Sequence, residues 1–342
     1  MVELKSYPAQ NGDAFLVKAT DTQFAMLIDG GYANTFQRYV RPDLAELAAA
    51  GYELNVVVST HIDADHISGL LSFLRLNGRD EAPTIIPVRE VLHNSLRSLV
   101  TSRMGAPTLR TDDVALLRAI RQRGYPPPSS SAMMNEEISA RQGSSLADIL
   151  RNGGYRWNSH DGTLLVSRDG LADLRTHGAH VTVLGPSRLR LDALQNWWIS
   201  EIRRLGLVGS WEELDDVFEF LCVHEVFDPA VQTLTSCDGD LRQLHVPDDS
   251  ITNGSSISLL VEVEGSRLLF LGDAWPEDIV AALQQNGPAV FDAIKVAHHG
   301  STRNTSPELL TLIDSPHFWR SKHSHPATGR NGSKCSHRRF HH

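Results

Sequence analysis

Apolar residues in the first sixty positions come in short runs separated by glycine, proline, asparagine and aspartate, the pattern of strands joined by turns. VELKSYPA and AFLVKAT flank Gln10-Asn11-Gly12-Asp13, and the Asn-Gly pair predicts a hairpin. FAMLIDGGY reads as a further strand ending in Asp29-Gly30-Gly31, residues 42–50 as a helix, and LNVVV at 54–58 as a strand. SGLLSFLR, at 68–75, predicts a helix beginning just past His66. From about residue 90 to 250 the period changes to three and four, as amphipathic helices require, in DDVALLRAIRQR, LADILRNGG, LDALQNWWISEIRRLG and WEELDDVFEFLCVHEVF. Pro126-Pro127-Pro128 breaks them, and HVTVL at 180–184 is the one strand expected there. Strand pattern resumes at 256–264, turns at Gly265-Ser266, and continues through 267–271. PEDIVAALQQ (helix), AIKVAHH (strand) and SPELLTLID (helix) follow, with no internal repeat.

Three of these strands end in the same chemistry. LNVVV runs into THIDADHISGL, which sets His61, Asp63, Asp65 and His66 within six residues. LLFLGDA ends in Asp273, and AIKVAHHGS ends in His298 and His299. Carboxylates and imidazoles gathered where strands meet helices are what a two-metal hydrolytic site needs, and α/β proteins place sites at such junctions.

Bulk properties narrow the setting. A chain of 342 residues, 41% hydrophobic and 21% charged, is ordinary for a globular protein and can bury a sizeable core. No apolar run approaches bilayer length, so no membrane contact is expected, and no signal-peptide pattern opens the chain. Cys222, Cys237 and Cys335 form no disulfide or metal spacing, which fits reduced thiols and a cytoplasmic location. The net charge of −9 conceals a division: six bases and no acid follow Ser315, leaving −15 before it. So acidic a body is unlike a non-specific nucleic-acid clamp, although bound cations would offset part of the charge. The stretch from Pro316 is basic, rich in histidine and poor in apolar residues, and is expected to be disordered.

The motifs resemble those of the metallo-β-lactamase-fold hydrolases, and within them a subgroup like the hydrolase domain of the DNA-uptake channel ComEC. The resemblance rests on Asn11 to Leu16, Leu27 to Gly31, Thr60 to Gly69, Asn253 to Asp273 and Lys295 to Ser301, in that order. It implies an α/β protein, an αββα sandwich spanning residues 1–315 with a large mainly helical insertion within about 90–250. It also implies two divalent ions, zinc or manganese. His61 and Asp63 would hold the first; Asp65, His66 and His298 the second; Asp273 would bridge them. Asp65 and His299 would take part in catalysis, with His299 at the leaving group or transition-state oxygens. Two departures stand out. Asp63 occupies the place of the family's second histidine, which favours manganese, magnesium or iron over zinc. Asn253-Gly254-Ser255 stands where many members carry another histidine ligand.

Other residues admit plainer readings. Asp29 is expected to support the metal loop through hydrogen bonds, or to be a turn residue. Lys295 is expected on a strand surface with no role. Ser301 and Thr302 fit either a phosphate contact or a cap. Trp197, Trp198 and Trp211 fit core packing better than base stacking. His160, His177, His180, His224 and His245 lack ligand spacing. The function expected is hydrolysis by a metal-activated hydroxide, of phosphodiesters in a nucleic acid or nucleotide by resemblance. The alternatives are ester, thioester or lactone hydrolysis, and an accessory subunit of a bacterial defence-type assembly docking through the helical insertion.

Overall fold

Strands buried on both faces are apolar at every position, and Phe24–Ile28 is buried throughout. The computed structural model describes residues 1–10, 12–95, 98–99, 146–204, 248–284, 288–319 and 336–340. Its principal strands are β1 (Val2–Ser6), β2 (Phe15–Ala19), β3 (Phe24–Ile28), β4 (Val56–Val58), β5 (Val91–Leu92), β6 (Asp173–Thr176), β7 (Ala179–Gly185), β8 (Ser258–Val263), β9 (Ser266–Phe270), β10 (Ala293–Lys295), β11 (Phe318–Trp319) and β12 (Ser336–Phe340). They form two six-stranded mixed sheets, in the orders β12-β1-β2-β3-β4-β5 and β11-β10-β9-β8-β7-β6.

Three apolar layers show how the sheets are covered. Val17, Met26, Ile28 and Val58 of the first sheet share one cluster with Val181, Leu259, Val261 and Phe270 of the second. The sheets therefore pack face to face, and Phe15 meets Phe270 edge-on with centroids 6.0 Å apart. The alternate residues Leu16, Leu27 and Val57 face outward, onto Leu44 and Leu47 of α1 (Arg41–Ala49), Leu70 and Phe73 of α2 (Ala64–Asn77), and Leu146 and Leu150 of α3 (Leu146–Gly153). Leu191 and Leu194 of α4 (Arg188–Arg204) join them. On the far side Leu269 and Ile294 meet Ile279 and Leu283 of α5 (Pro276–Leu283) and Leu309 of α6 (Pro307–Leu312). Helices, sheet, sheet, helices: the expected αββα order holds.

Several local expectations need correction. β1 and β2 pair antiparallel as the expected hairpin, but from Ser6↔Phe15, so the connection between them is longer than the four residues 10–13. α2 starts at Ala64, ahead of His66, directly after Asp63, whose backbone is still extended. β5 and β6 are strands within the stretch read as helical apart from 180–184. Of the helices expected there, α3 and α4 form; those near 112–123 and 211–227 lie outside the described residues. The stretch after Pro316, expected to be disordered, supplies β11 beside β10 and β12 beside β1. Short strands at a sheet edge need backbone pairing more than an apolar pattern, which the composition of the tail could not reveal.

At one end of the sandwich Glu264 (φ 48°) and Gly265 (φ 80°) make the tight turn between β8 and β9. The Glu264 carboxylate accepts hydrogen bonds from Asp21 N (2.7 Å), Thr22 N (2.8 Å) and Thr22 Oγ1 (3.0 Å), which ties the turn between β2 and β3 to it. Among the described residues no helix is long and apolar enough to cross a membrane.

Candidate metal centre

At the opposite end the parallel strands β3 and β4 deliver Asp29 and residues 59–63, and the parallel strands β9 and β10 deliver Asp273 and residues 296–299. Side chains leaving adjacent parallel strands at their carboxyl ends converge by topology. The loop after β4 is stitched across the two sheets, since Ile257 N donates to Thr60 O at 2.8 Å.

Each imidazole is aimed by its own partner. His66 Nδ1 meets Asp29 Oδ2 at 2.8 Å, and the same carboxylate accepts from Thr60 N (2.8 Å) and Thr60 Oγ1 (2.7 Å). Asp29 thus supports the loop, as expected. His61 Nδ1 lies 3.0 Å from Thr60 Oγ1 and 3.2 Å from Ser256 Oγ. Both rings then turn Nε2 the same way, their centroids 4.1 Å apart. Neither Nε2 has a hydrogen-bond partner, and both are buried. His61 Nε2 stands 3.6 Å from Asp63 Oδ2, and His66 Nε2 stands 3.7 Å from Asp273 Oδ2. Asp63 Oδ1 also lacks a partner.

Close backbone contact fixes the segment bearing Asp65 and His66. Gly30 N donates to His66 O (2.9 Å) and Gly69 N to Gly31 O (2.7 Å). A methyl on Gly69 would lie 1.9 Å from Gly30 O, so only hydrogen fits between the loop after β3 and α2. Gly12 is as tight, its imagined Cβ 1.8 Å from Asp65 O.

His298 and His299 part company. Both adopt left-handed backbone, φ 44° and 54°, a strained conformation worth about 1–3 kcal/mol each that persists where its surroundings enforce it. His299 turns inward, its Nε2 3.7 Å from Asp273 Oδ2 and 3.9 Å from Asp65 Oδ2. His298 stays one-third exposed and points Nδ1 at Asn304 Oδ1 (2.9 Å) and Asp248 Oδ2 (3.3 Å). Asp65, His66 and His299 can present atoms within ligating distance of one another, as can His61, His66 and Asp273, and Asp273, His298 and His299. Of the two neighbouring histidines, only His299 shares a cluster with Asp65 and His66.

The charges respond to one another. Burial works against a charged His66, yet Asp273, Asp29 and Asp65 outweigh it and hold its pKa well above the ordinary value. Burial also opposes charge on His298, but its bond to Asp248 and the field of Asp273 carry it up to about 9. Burial raises the Asp65 carboxyl, only partly offset by His66 and His299. Asp273 is held well below the carboxylate range despite burial, by His66, Lys295 and His299.

Four contributors escaped the sequence. Lys295, expected on a surface, is buried: its ammonium contacts Asp13, donates to Gly272 O (2.7 Å) and lies 3.4 Å from Asp273 Oδ1. Asp13 in turn faces His299 Nδ1 at 3.5 Å. Asp248 is the buried partner of His298. Asn304 donates to Asp248 Oδ2 (3.0 Å) and Asp273 O (3.1 Å). Asp13 and Lys295 sit inside recognisable motifs, a usable signal; Asp248 and Asn304 carry none.

The remaining candidates stay apart. Ser301 caps a turn, accepting from Arg303 N at 3.2 Å. His177 pairs with Glu53, and His180 with Asp173 and Glu262. Trp197 and Trp198 fall on α4; Trp211, His224, His245 and the three cysteines lie outside the described residues.

The donor set fits divalent ions. Two atoms bound to one ion at about 2.0–2.2 Å stand about 3–3.6 Å apart, close to the separations here, and buried imidazole nitrogens without partners need a cation or a proton donor. No curated protein matches the chain. Residues 7–83, which contain Asp13, Asp29 and the segment from His61 to His66, match the family model of the metallo-beta-lactamase superfamily, a superfamily of metal-dependent hydrolases.

Proposed function

We propose that this protein is a metal-dependent hydrolase acting on phosphodiesters, with a nucleic acid or nucleotide as substrate. The observation that carries the reading is the pair of buried, partnerless Nε2 atoms of His61 and His66 beside the Asp273 carboxylate. His61 and Asp63 would hold one ion and Asp65, His66 and His299 the other, with Asp273 shared. This replaces His298 by His299 in the expected set, because His299 lies beside Asp65 and Asp273 while His298 is taken up by Asp248 and Asn304. Bound divalent ions would supply a hydroxide near neutral pH and polarise the scissile oxygen.

The chain's own residues set up that chemistry. Asp29 and Thr60 fix the rings of His66 and His61, so both present Nε2. Ser256 Oγ accepts from Asp273 N at 3.1 Å and holds that carboxylate's backbone against the His61 side. His298, held by Asp248 and one-third exposed, is the histidine of the pair that could meet a substrate group from solvent. The ComEC-like subgroup motifs favour a phosphodiester over a lactone. The carboxylate of Asp63 favours manganese over zinc.

The test is hydrolysis of labelled single-stranded DNA, bis(4-nitrophenyl) phosphate and a lactone panel by manganese-loaded protein. Phosphodiester cleavage that disappears in Asp273→Ala, together with at least one metal, is the expected result, with unchanged far-ultraviolet circular dichroism. Lactone opening alone would overturn the substrate class. Two ions retained by Asp273→Ala would overturn the site. Asp63→His should shift metal preference toward zinc.

A further inference from the structure

Lys295 is an unusual residue to find here. β10 is buried along its length, and Lys295 shares a face with Ala293, which belongs to the apolar layer between the two sheets. A lysine in that layer is costly unless its charge is answered. Asp13 answers it from the first sheet's loop, and Gly272 O takes a second proton at 2.7 Å. The third proton is directed at one oxygen of Asp273, Oδ1, at 3.4 Å. The other oxygen, Oδ2, is the one that stands 3.7 Å from both His66 Nε2 and His299 Nε2. The two oxygens of this carboxylate are therefore not equivalent: one is occupied by the protein and one is turned to the ligand cluster.

We propose that Lys295 is a positioning residue, locked by Asp13, that reserves Asp273 Oδ1 so that Oδ2 alone is offered to both ion positions. The inference rests on the two-metal reading and deepens it. A carboxylate with both oxygens free can chelate a single ion or span two ions oxygen by oxygen. One whose Oδ1 is held by an ammonium bridges through a single atom, which keeps the two ions close and magnetically coupled. Asp13 serves both sides of this arrangement, since its second oxygen faces His299 Nδ1 at 3.5 Å. Removing Lys295 leaves all the assigned ligands in the chain, so a loss of metal would come through Asp273, which Lys295 contacts, or through Asp13 and His299.

The experiment is manganese titration with electron paramagnetic resonance on the full chain, wild type against Lys295→Met. Wild type is expected to bind two Mn²⁺ ions with an exchange-coupled signal. Lys295→Met should weaken the second ion by about 10–100-fold, the usual cost of losing a partner that orients a ligand, and show isolated single-ion signals. Asp13→Asn combined with Lys295→Met removes the buried acid with its base and is the variant read if Lys295→Met alone is insoluble. A two-ion, coupled spectrum in the variant overturns the inference even if its melting temperature falls, because Lys295 is then only structural. A wild type that holds two uncoupled ions overturns it as well. A wild type that takes up no ion overturns the hydrolase reading itself, and this inference with it.

Discussion

Gly69→Ala is the sharpest probe of how the fold sets the site. The added Cβ would stand 1.9 Å from Gly30 O and 2.4 Å from Gly30 C, where ordinary contact begins at 3.4 Å. The loop after β3 and the first turns of α2 must separate by about 1.5 Å, the difference between 1.9 and 3.4. Bonds across that seam include Gly69 N to Gly31 O at 2.7 Å, Gly30 N to His66 O at 2.9 Å, and His66 Nδ1 to Asp29 Oδ2 at 2.8 Å. Overpacking of this kind costs about 1–3 kcal/mol of stability. A displacement of about 1 Å in a positioned catalytic group costs on the order of 100-fold in rate. The variant should therefore stay folded at room temperature yet lose about 100-fold in metal-dependent hydrolysis and bind metal less tightly. Gly51→Ala is the control. Gly51 is left-handed at φ 82° with nothing within 4 Å of its imagined Cβ, so it pays only backbone strain of about 1 kcal/mol. Urea midpoints, metal content by mass spectrometry and initial rates distinguish the two. Gly69→Ala with full metal and at least half the activity would refute the argument, as would an equal loss in Gly51→Ala.

Two further outcomes follow. His299→Ala should lose one ion, while His298→Ala should keep both and raise KM for an anionic substrate; equilibrium dialysis and steady-state kinetics decide it, and the reverse pattern restores His298 as the ligand. Glu264→Gln should lower stability by about 1–2 kcal/mol at pH 7, the difference between charged and neutral hydrogen bonds. Burial opposes the charge on Glu264, but the bonds it accepts from the amino terminus, Thr22 and Asp21 hold its pKa below 4.5. A depressed carboxylate stabilises the fold above the ordinary glutamate range and loses that contribution as pH falls through its folded value. The gap between wild type and variant in urea melts should accordingly close on acidification; a gap that widens below pH 4.5 contradicts the assignment.

What the chain revealed of itself follows from which constraints are local. His61, Asp63, Asp65 and His66 were visible because a strand, a turn and a helix start lie within one short segment. Asp273 was visible because it ends an apolar run. Alternation places Lys295 on a wet face, and β10, buried along its length, has none. Asp13 was hidden by an Asn-Gly pair that suggests a tight turn, whereas Gly12 and Asp13 lie against the backbone of Asp65. Whether His298 or His299 turns inward depends on two successive left-handed residues and on Asn304 and Asp248, contacts that no spacing encodes. β12 was unreadable because edge pairing with β1 uses backbone groups that every sequence possesses.

The division of the site between two sheets also sets a timetable. His61 and Ser256 touch, yet they are 195 residues apart in the chain. At a synthesis rate of about 5–20 residues per second, about 10–40 s separate their emergence from the ribosome. During that interval the first sheet lacks most of its partner, and Val17, Met26 and Val58 must wait for Leu259 and Phe270 to complete their cover. A nascent chain at that stage exposes an apolar surface together with an incomplete set of ligands. Its hazard is aggregation through the bare sheet, and a chaperone that shields the first ninety or so residues would protect the candidate metal centre before Asp273 and His299 exist.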